Sequence, residues 1–289
     1  MSDQAQRLRN LILSRNAESP RQTRILTVTS GKGGVGKSNF TLNFALTLQQ
    51  RGYKVLVFDA DIGLANIDVL MGISPRYSLY HLLKREKTIW EIIQSGHGGL
   101  QFIAGGSGFN DLIRLSEEEL DYFADQVNQL SGHVDFIIFD TGAGLSKETL
   151  KFILAAQETI VVTTPEPTSI TDAYAIIKMV HSMDYSVPFR LVVNRVADWH
   201  EGRQTADKIS LVARQFLSLD IPTLGFVLDD SNVSKAVKKQ VPFTVAFPNS
   251  GAARSIAELA DGFIANQPQG ESSAGAVKGF LNKMMKLLK

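Results

Sequence analysis

The run Ser30-Gly31-Lys32-Gly33-Gly34-Val35-Gly36-Lys37-Ser38 carries the residue types that phosphate chemistry requires. Gly31 and Gly36, with four residues between them, are followed at once by Lys37 and Ser38, the spacing of a phosphate-binding loop. An apolar, β-prone run at 25–29 precedes it and a helix-like stretch at 39–50 follows, so the loop has the strand–loop–helix context it needs. Backbone N–H groups of Gly33, Gly34, Val35 and Gly36, with the positive end of the following helix, can then face a triphosphate. Lys37 reaches the β- and γ-phosphates in such a loop, and the Ser38 hydroxyl ligates Mg²⁺. Lys32 is a second lysine inside the loop, which an ordinary phosphate loop does not need.

Phosphoryl transfer needs a phosphate cradle, a metal and something to hold the attacking water. Asp140 ends the apolar run 136–139, a position from which a carboxylate holds Mg²⁺, usually through a water. Asp59 and Asp61 lie two residues apart at the end of the run 55–58 and project to one side of a sheet. Gly142 and Gly144 suit a backbone that rearranges around a γ-phosphate. The five histidines have no metal-ligand spacing, and Trp90 and Trp199 read as packing residues.

The string Lys32-Gly33-Gly34-Val35-Gly36-Lys37-Ser38 resembles the deviant Walker A motif of the MinD/ParA ATPases. Val55-Leu56-Val57-Phe58-Asp59-Ala60-Asp61 resembles the switch I strand and loop of that family, and Phe136-Ile137-Ile138-Phe139-Asp140-Thr141-Gly142-Ala143-Gly144 its Walker B strand and switch II. The resemblance implies ATP or ADP with Mg²⁺, and a homodimer in the ATP state, with Lys32 crossing to the partner's phosphates. It gives Asp61 the attacking water and gives Asp59 support of the metal or of the switch. Asn194, with Arg195, would read adenine, its amide donating to and accepting from the base; Phe247-Pro248-Asn249 is a candidate lid. MinD has Pro where this chain has Gly142, so switch II departs from the family pattern.

Within the family, the likeness is to the FlhG branch of flagellar number and placement regulators. Asp3-Gln4-Ala5-Gln6-Arg7-Leu8-Arg9 resembles the segment by which that branch stimulates FlhF, a relative of the signal-recognition-particle GTPases. Gln4 would contribute to the partner's GTP hydrolysis, with Leu8 and Arg9 in the same partner-activating segment; Ala5, Leu8, Leu11 and Ile12 form a narrow apolar stripe suited to a partner's groove. The resemblance also suggests flagellar C-ring components as partners. A MinD-type division-site regulator and a ParA-like DNA partitioner stay open, the latter drawing on Lys235, Lys238 and Lys239. So does a binding module in which nucleotide is only structural.

These residues must be positioned by a sheet. Strand candidates at 25–29, 55–58, 100–103, 136–139, 159–162, 191–193 and 223–226 alternate with helix candidates, among them 116–130, 171–183 and 207–217. The helix at 116–130 opens on a capping box of Ser116 and Glu119. Near-continuous Val, Ile and Phe strands between helices predict one doubly wound, mainly parallel α/β sheet of the P-loop type over 25–266. In such sheets ligands sit beyond the carboxyl ends of strands, where the loop and the aspartates fall.

Composition is ordinary for a globular chain, at 44% apolar and 20% charged, and a net charge of +1 gives no global pull toward nucleic acid. The absence of cysteine excludes disulfides, a thiol nucleophile and cluster thiolates. No apolar run is long enough to span a bilayer and the N-terminus is too polar for a signal peptide, which predicts a cytoplasmic protein. Residues 1–24 form an arginine-bearing extension, and 267–276 read as a tether. On a helical wheel of 277–289, Val277, Phe280, Leu281, Met284, Met285, Leu287 and Leu288 fill one arc. Lys278, Lys283, Lys286 and Lys289 lie on the other. This pattern predicts a helix lying in an anionic bilayer on the inner face of the membrane, in preference to one docked on its own core.

Overall fold

Strands that alternate neither polar nor apolar faces must be covered on both sides, and the computed structural model shows that cover. It describes residues 23–61, 66–105, 117–183, 187–266 and 275–288. Among them, one eight-stranded sheet runs through β1 (Arg24–Ser30), β2 (Val55–Ala60), β3 (Gln94–Ser95), β4 (Gln101–Ile103), β5 (Phe136–Ala143), β6 (Glu158–Thr163), β7 (Phe189–Val196) and β8 (Thr223–Leu228). The order across the sheet is β3-β4-β2-β5-β1-β6-β7-β8. All pairings are parallel except that of β3 with β4. All seven expected strands are present. β3 was not legible, because two residues carry no period.

Register sets the chemistry level. Asp140 is paired with Val28 of β1 on one side and with Asp59 of β2 on the other. The phosphate loop therefore leaves β1 beside both acidic strand ends, in the crevice where α/β sheets bind ligands.

On one face α1 (Lys37–Gln50) and α11 (Gly251–Ala265) pack through Phe40, Phe44 and Phe263. On the other lie α5 (Glu117–Asn128), α6 (Lys147–Ala155), α7 (Pro167–Ser182) and α8 (Trp199–Leu217). α7 starts four residues before the expected position because Pro167 stands in its first turn, where its fixed φ fits and its missing N–H costs nothing. α8 starts eight residues early because Asp198 caps it, accepting from the Glu201 N–H. α5 is shorter at its C-terminus than the period suggested, and its expected cap Ser116 lies outside the described residues. Shorter helices α2 (Ile67–Met71), α3 (Leu79–Leu83) and α4 (Ile89–Ile92) follow β2, and α9 (Ser231–Lys239) and α10 (Phe243–Ala246) follow β8.

The last helix, α12 (Ala276–Leu288), lies docked on the core in this structure and does not present a free arc. Val277, Phe280, Leu281 and Met284 are at most 4% exposed and lie in the core with Phe58, Phe139 and Phe152. Met285 packs at the edge of that cluster; the Leu288 side chain lies outside the described residues. α12 rests on α5 and α6. Its lysines Lys278, Lys283 and Lys286 remain exposed. The arc was read correctly, but the wheel cannot say which apolar surface it covers. Burying a large apolar side chain gains about 1.5–3 kcal/mol whether the host is lipid or protein.

Candidate nucleotide-binding site

Gly36 ends the phosphate loop in the left-handed region (φ 90°), and α1 begins at the next residue. A side chain at this position would also place its Cβ 2.4 Å from Asn194 Nδ2. Glycine is thus required for conformation, and a side chain here would also displace the Asn194 amide.

Lys37 is almost wholly buried and its Nζ lies 3.0 Å from Asp140 Oδ1. It also donates to Ser38 Oγ at 3.2 Å. Asp140 Oδ1 accepts a further bond from the Thr41 hydroxyl at 2.7 Å. Thr41 was not singled out from sequence, although its spacing of four from Lys37 on α1 puts both on one helix face. The other oxygen, Asp140 Oδ2, is buried with no hydrogen-bond partner. An orphaned carboxylate oxygen beside a lysine and a serine hydroxyl fits a hard, oxygen-loving cation. Among the described residues no three His, Cys, Asp or Glu side chains cluster as a ready-made metal site. This suits Mg²⁺, which binds through one or two carboxylates together with phosphate oxygens.

A cavity of about 750 Å³ opens over the loop, lined by Lys37, Ser38, Asp61, Gly142, Thr149 and Arg195 among others. Burial raises the Asp61 pKa, against the lowering effect of Lys37. Asp59 is absent from the lining. Its carboxylate accepts from the backbone N–H groups of Asp61, Asn66 and Ile67 and so holds the backbone on either side of 62–65. Burial first, and then the Asp140 charge, push its pKa up to about 7.

A second cavity of about 300 Å³ adjoins the first, lined by Asn39, Phe40, Asn194, Arg195, Asp230 and Phe243 among others. Arg195 lines both cavities and Asn194 the second. One amide hydrogen of Asn194 is committed to the loop, donating to Val35 O at 2.8 Å, which leaves Oδ1 to accept from a base amino group. The candidate lid does not line this cavity. Phe247 packs against the core, with the Lys239 ammonium 5.2 Å from its ring.

Lys32 points to neither cavity. Its Nζ lies 3.0 Å from both Glu166 Oε2 and Thr168 Oγ1 at the start of α7. Gln4, Leu8 and Arg9 lie outside the described residues. Trp90 and Trp199 are each 45% exposed, and each packs edge-on against a ring, His133 and Phe226 respectively.

A glycine loop that opens a helix, a buried lysine–aspartate pair and a cavity for phosphates define a P-loop nucleotide-binding protein. Residues 26–243 match the CobQ/CobB/MinD/ParA nucleotide binding domain, and the chain belongs to that family. It is 39% identical over 296 residues, the whole of both chains, to the flagellum site-determining protein YlxH of Helicobacter pylori. To the antiactivator FleN of Pseudomonas aeruginosa it is 36% identical over 236 residues, covering 82% of this chain and 84% of FleN. The fold is that of the septum site-determining protein MinD of Pyrococcus horikoshii, solved with Mg-ADP: TM-score 0.69 at 24% identity, covering 85% of this chain and 98% of that one.

Proposed function

We propose that the chain is an Mg²⁺-dependent ATP hydrolase that acts as a dimerising switch in setting the number and placement of flagella. The likeness to a flagellum site-determining protein carries this reading. It spans the entire chain, including residues 1–24 and the terminal helix, which the family domain does not cover.

In the ATP state the γ-phosphate takes the Lys37 ammonium from Asp140. Ser38 and Asp140 would hold Mg²⁺, which neutralises phosphate charge when bound. Gly33 to Gly36 cradle the phosphates through their N–H groups. Asn194 and Arg195 take the adenine, and Asp61 holds the attacking water. Lys32 leaves Glu166 and reaches the nucleotide of a second copy, completing a homodimer.

Residues 1–24 act on the GTPase FlhF, with Gln4 assisting hydrolysis and Leu8 and Arg9 binding the partner; C-ring components are further partners. α12 leaves its groove when two copies assemble. It then carries Phe280, Leu281, Met284, Met285 and Leu288 into the anionic inner face of the cell membrane. A helix this short binds lipid weakly alone, and pairing raises avidity by roughly 10²–10⁴. The protein is thus cytoplasmic with ADP and peripheral on the membrane with ATP.

The test counts flagella in cells lacking the protein and in cells complemented with a 1–24 deletion. Abnormal number or placement in both, with loss of FlhF stimulation by the deleted protein in vitro, is expected. Normal flagellation without the protein would overturn the reading.

A further inference from the structure

The cavity over the phosphate loop contains a hydroxyl to which neither the family pattern nor the sequence reading gave a role. Thr149, in the first turn of α6, is 3% exposed yet lines the cavity. Its Oγ1 donates to Gly142 O at 3.4 Å and accepts from Ser146 Oγ at 3.1 Å. Ser146, the N-cap of α6, in turn accepts from the Thr149 N–H, which fixes the side chain from both ends. A threonine hydroxyl has one hydrogen and two lone pairs. The hydrogen and one lone pair are engaged here, so one lone pair remains, able only to accept.

Gly142 lies between this hydroxyl and Asp61. A Cβ on Gly142 would stand 3.3 Å from Asp61 Oδ1 and 3.7 Å from Thr149 Oγ1, so the two oxygens flank a space that only glycine leaves open. We propose that Thr149 is a water-positioning residue, sharing the attacking water with Asp61 across the bare α-carbon of Gly142. This rests on reading the chain as an ATP hydrolase.

The donor count decides the orientation of the water. Ionised Asp61 and the free lone pair of Thr149 both only accept, so the water donates one O–H to each. Its own lone pairs are then left for the γ-phosphorus. On attack, the water oxygen bonds to that phosphorus and the bond to the bridging β-oxygen breaks, releasing ADP. The water proton directed at Asp61 passes to that carboxylate and from it to the departing phosphate, while the other hydrogen stays on the new P–O–H. ATP and water thus give ADP and dihydrogen phosphate, which releases a proton to solvent as it ionises.

The test compares full-length wild type, Thr149→Val, Thr149→Ser and Gly142→Ala, measuring phosphate release, binding of a fluorescent ATP analogue and thermal melting. Thr149→Val is expected to lower kcat by about 10–100-fold, the scale of a lost positioning contact, with nucleotide affinity and melting temperature held. Thr149→Ser should keep most of the turnover. Gly142→Ala should lose turnover while still binding nucleotide, because its methyl crowds the space between Asp61 and Thr149 that the water needs. Unchanged turnover in Thr149→Val would overturn the inference. So would equal losses in the Ser and Val variants accompanied by lower melting temperatures, which would mark a purely structural hydroxyl. Wild-type protein that releases no phosphate even with lipid and FlhF present would instead overturn the hydrolase reading beneath it.

Discussion

The ring of Phe280 lies stacked on that of Phe139, with centroids 4.9 Å apart and planes 14° from parallel, one residue before Asp140. Phe139 also meets Phe58, the residue before Asp59, at 4.9 Å. The terminal helix is therefore seated on a cluster whose phenylalanines Phe58 and Phe139 stand next to Asp59 and Asp140 in their strands. Removing the ring should be costly in the nucleotide-free protein. Phe280→Ala is expected to destabilise by about 3–5 kcal/mol through lost burial and a residual cavity, whereas Lys283→Ala on the exposed face should stay within about 0.5 kcal/mol. Equilibrium denaturation of the two variants checks this, and equal small effects would contradict the docked helix.

The Lys37–Asp140 pair predicts non-additivity. Breaking a buried pair from one side strands the other charge, at about 3–5 kcal/mol. Lys37→Met and Asp140→Asn should each destabilise the nucleotide-free protein on that scale. The double variant should lose less than the sum, which a denaturation cycle measures. Strict additivity would mean that the pair is not coupled.

The contact of Lys32 with Glu166 is half-exposed, so its direct worth is small, about 0–1 kcal/mol. Glu166→Ala should accordingly leave melting nearly unchanged. By freeing Lys32 it should lower the ATP concentration needed for dimerisation. Lys32→Ala should abolish dimerisation while leaving nucleotide binding by the monomer intact. Sedimentation across an ATP titration separates these outcomes.

Asp59 gives a pH dependence with a definite sign. Its unfolded carboxyl loses its proton near 3.8 and its folded one near 7. Between those values the unfolded chain binds fewer protons, so raising the pH favours unfolding. The contribution is fully present below about pH 4 and lost by the time pH has risen through about 7. Denaturation of nucleotide-free protein in chelator, compared with Asp59→Asn, should show the slope in wild type and a flatter profile in the variant.

Much of this was legible in the chain, and particular residues show why. Val55 to Phe58 and Phe136 to Phe139 read as buried strands because they are apolar without alternation; the aspartates that follow lie within the strands, since β2 runs on to Ala60 and β5 to Ala143. Gly36, Lys37 and Ser38 were legible because their chemistry is local. Thr41 and Thr149 were not, since each acts through a partner far along the chain or through switch backbone. The seat of α12 was also hidden: an amphipathic arc specifies a surface to cover, and only the fold shows that Phe139 and Phe152 supply one.

The central claim is that ATP joins two copies into one switch. Its most direct test is the solution mass of Asp61→Ala, in which the water-holding carboxylate is gone and ATP persists, measured by light scattering with saturating Mg²⁺ and either ATP or ADP. The account predicts a dimer with ATP, a monomer with ADP, and a monomer in both when Lys32→Ala is added. A monomer at saturating ATP would contradict it.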